Sequence, residues 1–277
     1  MNRLTKLLTI LAAATLLGAG MAAQATAADY TLADGNSTVV FSPSTSTGMQ
    51  SWIVDSQQML NTQWFWYRVG SGAELPLNNL TLDAAIPSGS GSTGGNTNLY
   101  MRYMGAGYKV ELTYILSGGL ANSPGSGMVA TVNVTNTSGT PLDFHLFQYA
   151  DFNLSGADTI RITGGNDAVQ TATGIHVAEV ITTPMPSHYE AGLATDSPSI
   201  LSRLTDGAAT TLTDATGPSS PGNAVWAFEW DQSIPNDGTL SISKAMTIAP
   251  EPATLTLLGV GLVAGLWRRR GRFVRRD

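Results

Sequence analysis

Apolar and polar residues alternate with a period of two along much of the chain, and this feature limits the fold more than any other. Val110, Leu112 and Tyr114 alternate with Lys109, Glu111 and Thr113, and Met128, Ala130, Val132 and Val134 alternate with Val129, Thr131 and Asn133. That spacing sends the two sets to opposite faces of an extended strand, with the apolar set against a core. The glycine-rich stretch from Gly118 to Gly127 then reads as the hairpin connection between these two strands. Further strands are predicted near Ser37 to Phe41, Gln50 to Asp55, Gln63 to Val69, Asn98 to Met104, Leu142 to Tyr149, Gly174 to Thr182, Asn223 to Trp230 and Thr239 to Ile248. Ten or more strands at this spacing predict an all-β fold, a single antiparallel β-sandwich. Asp55 to Thr62 is compatible with one helical turn capped by Asp55, and Pro87 to Thr97 reads as a flexible loop. No fixed-period repeat is visible, which argues against a propeller or a solenoid.

Composition narrows the setting. Residues 28 to 249 carry eighteen acidic and six basic side chains, a net charge of −12, whereas the whole chain stands at −6 because its two ends are basic. A body this acidic lacks the basic footprint that nucleic acid requires. There is no cysteine, so no disulfide framework is available and stability must come from a hydrophobic core, which about 220 residues can supply.

Both ends carry targeting features. Arg3 and Lys6 precede an apolar stretch through Leu17, and small residues follow at Ala23, Ala25 and Ala27, the pattern of a secretory signal peptide over residues 1–27, cut after Ala25 or, as preferred here, after Ala27. At the other end, Pro250, Glu251, Pro252 and Ala253 precede an apolar run that reaches Trp267, followed by Arg268, Arg269, Arg270, Arg272, Arg275 and Arg276. Fifteen helical residues from Ala253 to Trp267 span about 22 Å, short for a bilayer core about 30 Å thick, and the arginines fix the tail on the cytoplasmic side as a membrane stop. The two signals independently place residues 28–249 outside the cytoplasm.

Residues 250–277, with Pro-Glu-Pro, a short glycine-containing apolar helix and an arginine cluster in that order, closely resemble the PEP-CTERM sorting signal of Gram-negative bacteria. The resemblance implies that Pro250, Glu251, Pro252 and Ala253 form a processing motif read by an exosortase-type enzyme. It also implies transient residence in the inner membrane through the C-terminal helix, then delivery to the cell surface or the medium. The body resembles the uncharacterised β-sandwich bodies of other PEP-CTERM proteins, a likeness that carries no activity with it.

Several groups of residues in the body are candidates for chemistry. Asp151, Asn153, Ser155, Gly156 and Asp158 place oxygen ligands at alternate positions with a glycine sixth, as in a calcium loop, although the twelfth position holds Ile162. Such strings also cap turns, so Asp151, Asn153 and Asp158 are candidate ligands of a structural calcium and no other cofactor is expected. Trp52, Trp64 and Trp66 are candidate carbohydrate contacts, since flat aromatic faces stack on sugar rings. Phe65 and Tyr67 occupy the other face of the same strand, however, and a strand apolar on both faces is more simply a central strand buried on both sides. His145, His176 and His188 are the only histidines and no two stand at a ligand-like spacing; a zinc site would have to join them to carboxylates such as Glu179 or Glu190. Carboxylates for an acid–base pair include Asp143, Asp151, Glu179, Glu190 and Glu229, but no nucleophile elbow, phosphate-binding loop or HExxH helix is present. The expectation is therefore a non-catalytic structural or adhesive body, not an enzyme, and the PEP-CTERM resemblance implies its setting, an exopolysaccharide, biofilm or cell-surface matrix. A carbohydrate-binding module with an exposed Trp pair and a sugar-active enzyme with a carboxylate pair are the alternatives.

Overall fold

The computed structural model describes residues 28–250 except Pro124 and Ser155; the predicted signal peptide and the apolar helix with its arginine tail lie outside the described residues. In chain order the strands are β1 (Tyr30–Asp34), β2 (Ser37–Ser42), β3 (Gly48–Val54), β4 (Gln57–Gln58), β5 (Leu60–Val69), β6 (Leu75–Pro76), β7 (Thr81–Ser88), β8 (Asn98–Gly105) and β9 (Tyr108–Gly118). They continue as β10 (Ser126–Asn136), β11 (Leu142–Phe152), β12 (Thr159–Thr163), β13 (Asp167–Ala172), β14 (Ile175–Thr183), β15 (His188–Leu193), β16 (Ala224–Ile234) and β17 (Thr239–Pro250). A 3-10 turn at Leu77–Asn79 and a one-turn helix α1 at Ile200–Arg203 complete the described elements.

Two sheets form the sandwich. One runs β1-β2-β3-β5-β11-β16-β15, with β4 on β3 and β6 on β5; the other runs β12-β13-β14-β17-β10-β9-β8-β7. The pairing is antiparallel except for a short parallel contact of β3 with β5, where Gly48 and Met49 both meet Gln63. All ten strands expected from the alternation are present. Asp55 to Thr62 is not helical: Asp55 and Ser56 both have positive φ, 47° and 67°, and make the tight turn from β3 into β4 and β5. The helix period was absent there, and the polar residues serve a hairpin instead.

The space between the sheets is filled mainly by aromatic and branched side chains, among them Phe65, Tyr67, Phe144, Leu146, Phe228 and Trp230 from the first sheet and Tyr103, Tyr114, Val110, Val132 and Ile242 from the second. Tyr67 and Phe144 stack with ring centroids 6.1 Å apart, and Tyr108 meets Phe144 edge-on at 5.4 Å. Into this apolar layer the chain inserts a fully buried ion pair, Lys244 on β17 with Glu179 on β14, at 2.8 Å. Gln148 on β11 accepts from Lys244 Nζ (2.7 Å) and donates to Glu179 Oε2 (2.7 Å), while Trp226 Nε1 on β16 donates to the same oxygen (2.7 Å). The pair belongs to one sheet and its polar partners to the other, so the network bolts the two together. Burial pulls the Lys244 ammonium below the usual lysine range, partly offset by Glu179.

Removing one member of such a pair leaves the other charged and unpaired in a low-dielectric layer. Lys244→Met is expected to lower unfolding free energy by about 3–5 kcal/mol in urea titration. Gly48 has φ +55° and a Cβ there would lie 1.7 Å from the Trp64 ring. Gly48→Ala therefore combines backbone strain with overpacking and is expected to cost more than about 2 kcal/mol by the same measurement.

Candidate functional site

The outward face of the nine-stranded sheet carries the ionisable cluster. Alternation places Gln148 and Trp226 toward the other sheet, which sends His145 and Phe147 on β11, and Glu229 and Asp231 on β16, to the opposite face. Register then aligns them: Arg68 on β5 stands opposite His145, His145 opposite Asp231, and Glu229 opposite both Phe147 and His188 on β15. One imidazole atom of His145 and one carboxylate oxygen from each of Glu229 and Asp231 lie within 4.8 Å of one another.

Partners hold each side chain in place. His145 Nδ1 contacts Asp231 Oδ1 directly, and its Nε2 lies 3.4 Å from Asp143 Oδ1. His188 Nδ1 is 3.1 Å from Asp214 Oδ2, which leaves Nε2 facing the cluster, 4.0 Å from Asp231 Oδ2. Glu229 Oε2 accepts from the Leu212 amide (2.8 Å), whereas Oε1 is buried without a hydrogen-bond partner, 3.9 Å from Arg68 Nη2. That guanidinium is committed elsewhere, since Arg68 Nε donates to Glu74 Oε1 at 2.9 Å. Burial pushes the Glu229 carboxyl up to about 7, with the neighbouring Asp231 charge adding to the rise and the Leu212 amide opposing it. The hydrogen bond to Asp214 raises the His188 imidazole above its ordinary value.

A strap of backbone, residues 210–214, crosses this face. Its amides donate in turn to the sheet's carboxylates, Thr210 to Glu74 (2.9 Å), Leu212 to Glu229 and Thr213 to Glu190 (2.9 Å), while Asp214 accepts from the Tyr189 amide (3.2 Å). The strap buries Glu229 completely but leaves the side chains of His188 and Asp231 about one-third exposed, so the cluster reaches solvent on the β15 side. A groove lined by Thr159, Arg161, Val169 and Thr216 has neither a carboxylate nor an imidazole in its wall.

The residues singled out in the sequence fall in different places. Trp52, Trp64 and Trp66 are buried at 0–1% exposure, as are Trp226 and Trp230, so the expected carbohydrate contact by an exposed Trp pair is corrected: these rings fill the core. Asp151 accepts from Asn61 Nδ2 (3.1 Å), Asp158 takes Gln170 Nε2 (2.6 Å), and the Asn153 amide donates to Met59 O (2.8 Å); burial raises both aspartates. Glu179 is on the inner face with Lys244, and Glu190 is paired with Arg203, so neither joins a histidine. His145 and His188 do converge, on Asp231, through strand register that no local spacing reveals. The signal that could have pointed there was Glu229-Trp230-Asp231, two carboxylates on one face of a predicted strand with an aromatic between them.

Residues 249–270 match the PEP-CTERM protein-sorting motif, which bears out the resemblance drawn from Pro250, Glu251, Pro252, Ala253 and the arginines from Arg268. The motif implies export, C-terminal membrane anchoring before processing, and processing by an exosortase-type system. Among the described residues no helix is long and apolar enough to cross a membrane. No curated protein matches the sequence. Among solved structures, the fold is shared with a putative aldose 1-epimerase from Escherichia coli K12, at 11% identity and a TM-score of 0.51, covering 81% of this chain and 99% of that one. A galactose mutarotase related enzyme from Lactobacillus acidophilus is also similar, at 8% identity and a TM-score of 0.49, over 81% and 98% of the two chains. The expectation of a non-catalytic structural or adhesive body is overturned here: its sandwich is one that a putative sugar epimerase carries, and side chains brought together by strand register leave no local motif in the sequence.

Arg68 and Glu74 are the buried pair that frames the cluster, at 9% and 0% side-chain exposure. Arg68→Met leaves Glu74 unpaired and is expected to lower stability by about 3–5 kcal/mol, read as a shifted midpoint in denaturant unfolding.

Proposed function

We propose that the chain is an exported sugar-active protein whose site is the cluster of His145, His188, Glu229 and Asp231, and that it catalyses proton transfer at the anomeric centre of an aldose. The observation that carries this reading is the Asp214–His188 pair: a carboxylate fixes Nδ1, so Nε2 is presented at the solvent-reached edge of a buried acidic cluster. The shared fold with a putative aldose 1-epimerase supports the choice of substrate class. The corrected placement of the tryptophans removes the support for a stacking module.

In the proposed step His188 Nε2 takes the proton of the anomeric hydroxyl and the C1–O5 bond of the ring breaks. Its electron pair goes to O5, which takes a proton from water, and the O1–C1 bond becomes the aldehyde carbonyl. Rotation about C1–C2 and the reverse transfers close the ring on the other face. Nothing is oxidised or reduced, and a positioned imidazole contributes typically about 10²–10⁴-fold to such transfers. Asp231, about one-third exposed beside His188, supplies a hydrogen-bond acceptor for a sugar hydroxyl at the edge of the strap.

Polarimetry of freshly dissolved aldoses tests this with the full chain in detergent. Anomer equilibration faster than in matched buffer is expected, with His188→Gln lowering the protein-dependent rate by about 10²-fold or more while the fold is kept. Equal rates with and without the protein across a panel of hexoses and pentoses would sink the reading. Fractionation of the native host checks the route: the body is expected outside the cytoplasm, freed of its tail only when an exosortase-type enzyme is present, and a tail retained in both strains would contradict it.

A further inference from the structure

We propose that His145, Glu229 and Asp231 are the protein ligands of a divalent first-row transition-metal ion, of the zinc or cobalt class, bound on the outward face of the nine-stranded sheet. The site's role toward a sugar rests on the reading above; its existence does not.

Three observations carry it. The first is convergence, for an imidazole nitrogen and two carboxylate oxygens lie within 4.8 Å of one another, a spread that modest side-chain rotation brings onto one ion at bonds of about 2.0–2.2 Å. Two of the ligands are fixed on one strand at an i, i+2 spacing and the third directly across from Asp231, so the backbone that presents them is rigid. The second is an unmet need. Glu229 is fully buried, its Oε2 is taken by the Leu212 amide, and its Oε1 has no hydrogen-bond partner. An oxygen in that position costs free energy unless a cation or a proton satisfies it. Arg68 Nη2 pairs with it only at 3.9 Å, beyond hydrogen-bond reach, and donates instead to Thr210 O (3.3 Å), so Oε1 keeps an open hydrogen-bonding position. The third is the outer layer. Metal-binding histidines ordinarily give their second ring nitrogen to a carboxylate, which fixes orientation and raises basicity. His145 has Asp143 in that place, 3.4 Å from Nε2, and Asp143 lies on the same strand face two residues earlier.

A nitrogen and two carboxylate oxygens favour a borderline ion over a purely oxygen-seeking one such as calcium. Three protein ligands leave a position open, the arrangement of reactive sites as distinct from closed structural ones. His188 borders that position, since its Nε2 is 4.0 Å from Asp231 Oδ2. A sugar oxygen entering there would meet the ion and the imidazole together.

The test uses the untagged full chain, stripped with chelator and titrated with Co²⁺ and Zn²⁺ by calorimetry and by the visible spectrum of the cobalt form. One equivalent per chain is expected, with a low-coordinate cobalt spectrum that zinc abolishes. His145→Gln and Asp231→Asn are each expected to weaken binding by at least about a hundredfold, and Asp143→Asn by about 10–100-fold. Asp143→Asn is the control for folding, because Asp143 is exposed and its loss leaves the core untouched. Absence of stoichiometric binding, or binding that none of the three substitutions weakens, overturns the metal site. Stoichiometric binding without any acceleration of anomer exchange keeps the site and defeats the sugar reading; acceleration that persists in a chain that binds no metal does the reverse.

Discussion

The position of the cluster depends on the buried network of Lys244, Glu179, Gln148 and Trp226. A strand's side chains alternate with a period of two, so slipping β11 or β16 by one residue would exchange its faces. Gln148 and Trp226 are pinned inward by bonds to the Lys244–Glu179 pair, and that pins residues of odd number on both strands outward. His145, Glu229 and Asp231 are odd-numbered residues of those strands. The ion pair need not be a net source of stability to do this, because a wrong register leaves two charges in the core without their amide and indole partners.

The outward face is unusual in a second respect, since it is neither open to water nor sealed by a further sheet. The strap of residues 210–214 covers it with backbone, and amides at 210, 212 and 213 meet carboxylates that would otherwise face each other in a dry environment. Glu74 and Glu229 can therefore be buried, and Glu190 half-buried, in a protein with few cations to spare. Arg68 and Arg203 are used on Glu74 and Glu190, and Glu229 is left with the most distant guanidinium and the most perturbed carboxyl. Charge scarcity in the body, six basic side chains against eighteen acidic ones, thus has a local expression at the place where chemistry is proposed.

Much of the sandwich was readable from the sequence and little of the site was. Val110, Leu112 and Tyr114 betray their strand because one face is buried and the other wet, and the same holds for Met128 to Val134. β15 carries no such contrast, since four of its six residues are only half-buried beneath the strap, and it was not foreseen. The segment between β15 and β16 has no period at all, because its order comes from bonds to carboxylates on other elements. His145 and Asp231 are 86 positions apart and meet only through the register of β11 with β16, a long-range fact that spacing does not encode. The tryptophans show what was legible: Phe65 and Tyr67 on the other face of the same strand already favoured a central strand over a sugar platform, and β5 lies in the middle of its sheet, with β3 on one side and β11 on the other.

The junction between body and tail follows from the same strand logic. β17 lies inside the eight-stranded sheet, between β14 and β10, and its last pairings are Ile248 with Ser126 and Val177, Ala249 with His176, and Pro250 with Ile175. Proline lacks the N–H that would extend the ladder, so Pro250 is a natural last residue for a strand with neighbours on both sides. The sorting motif begins at residue 249 and therefore overlaps the folded body by two residues. Cleavage anywhere beyond Pro250 would remove none of the described pairings, whereas cleavage before Ala249 would strip β14 of its partners at one end. Strand and signal meet at the Pro-Glu-Pro boundary, and the described pairings of β17 end at its first proline.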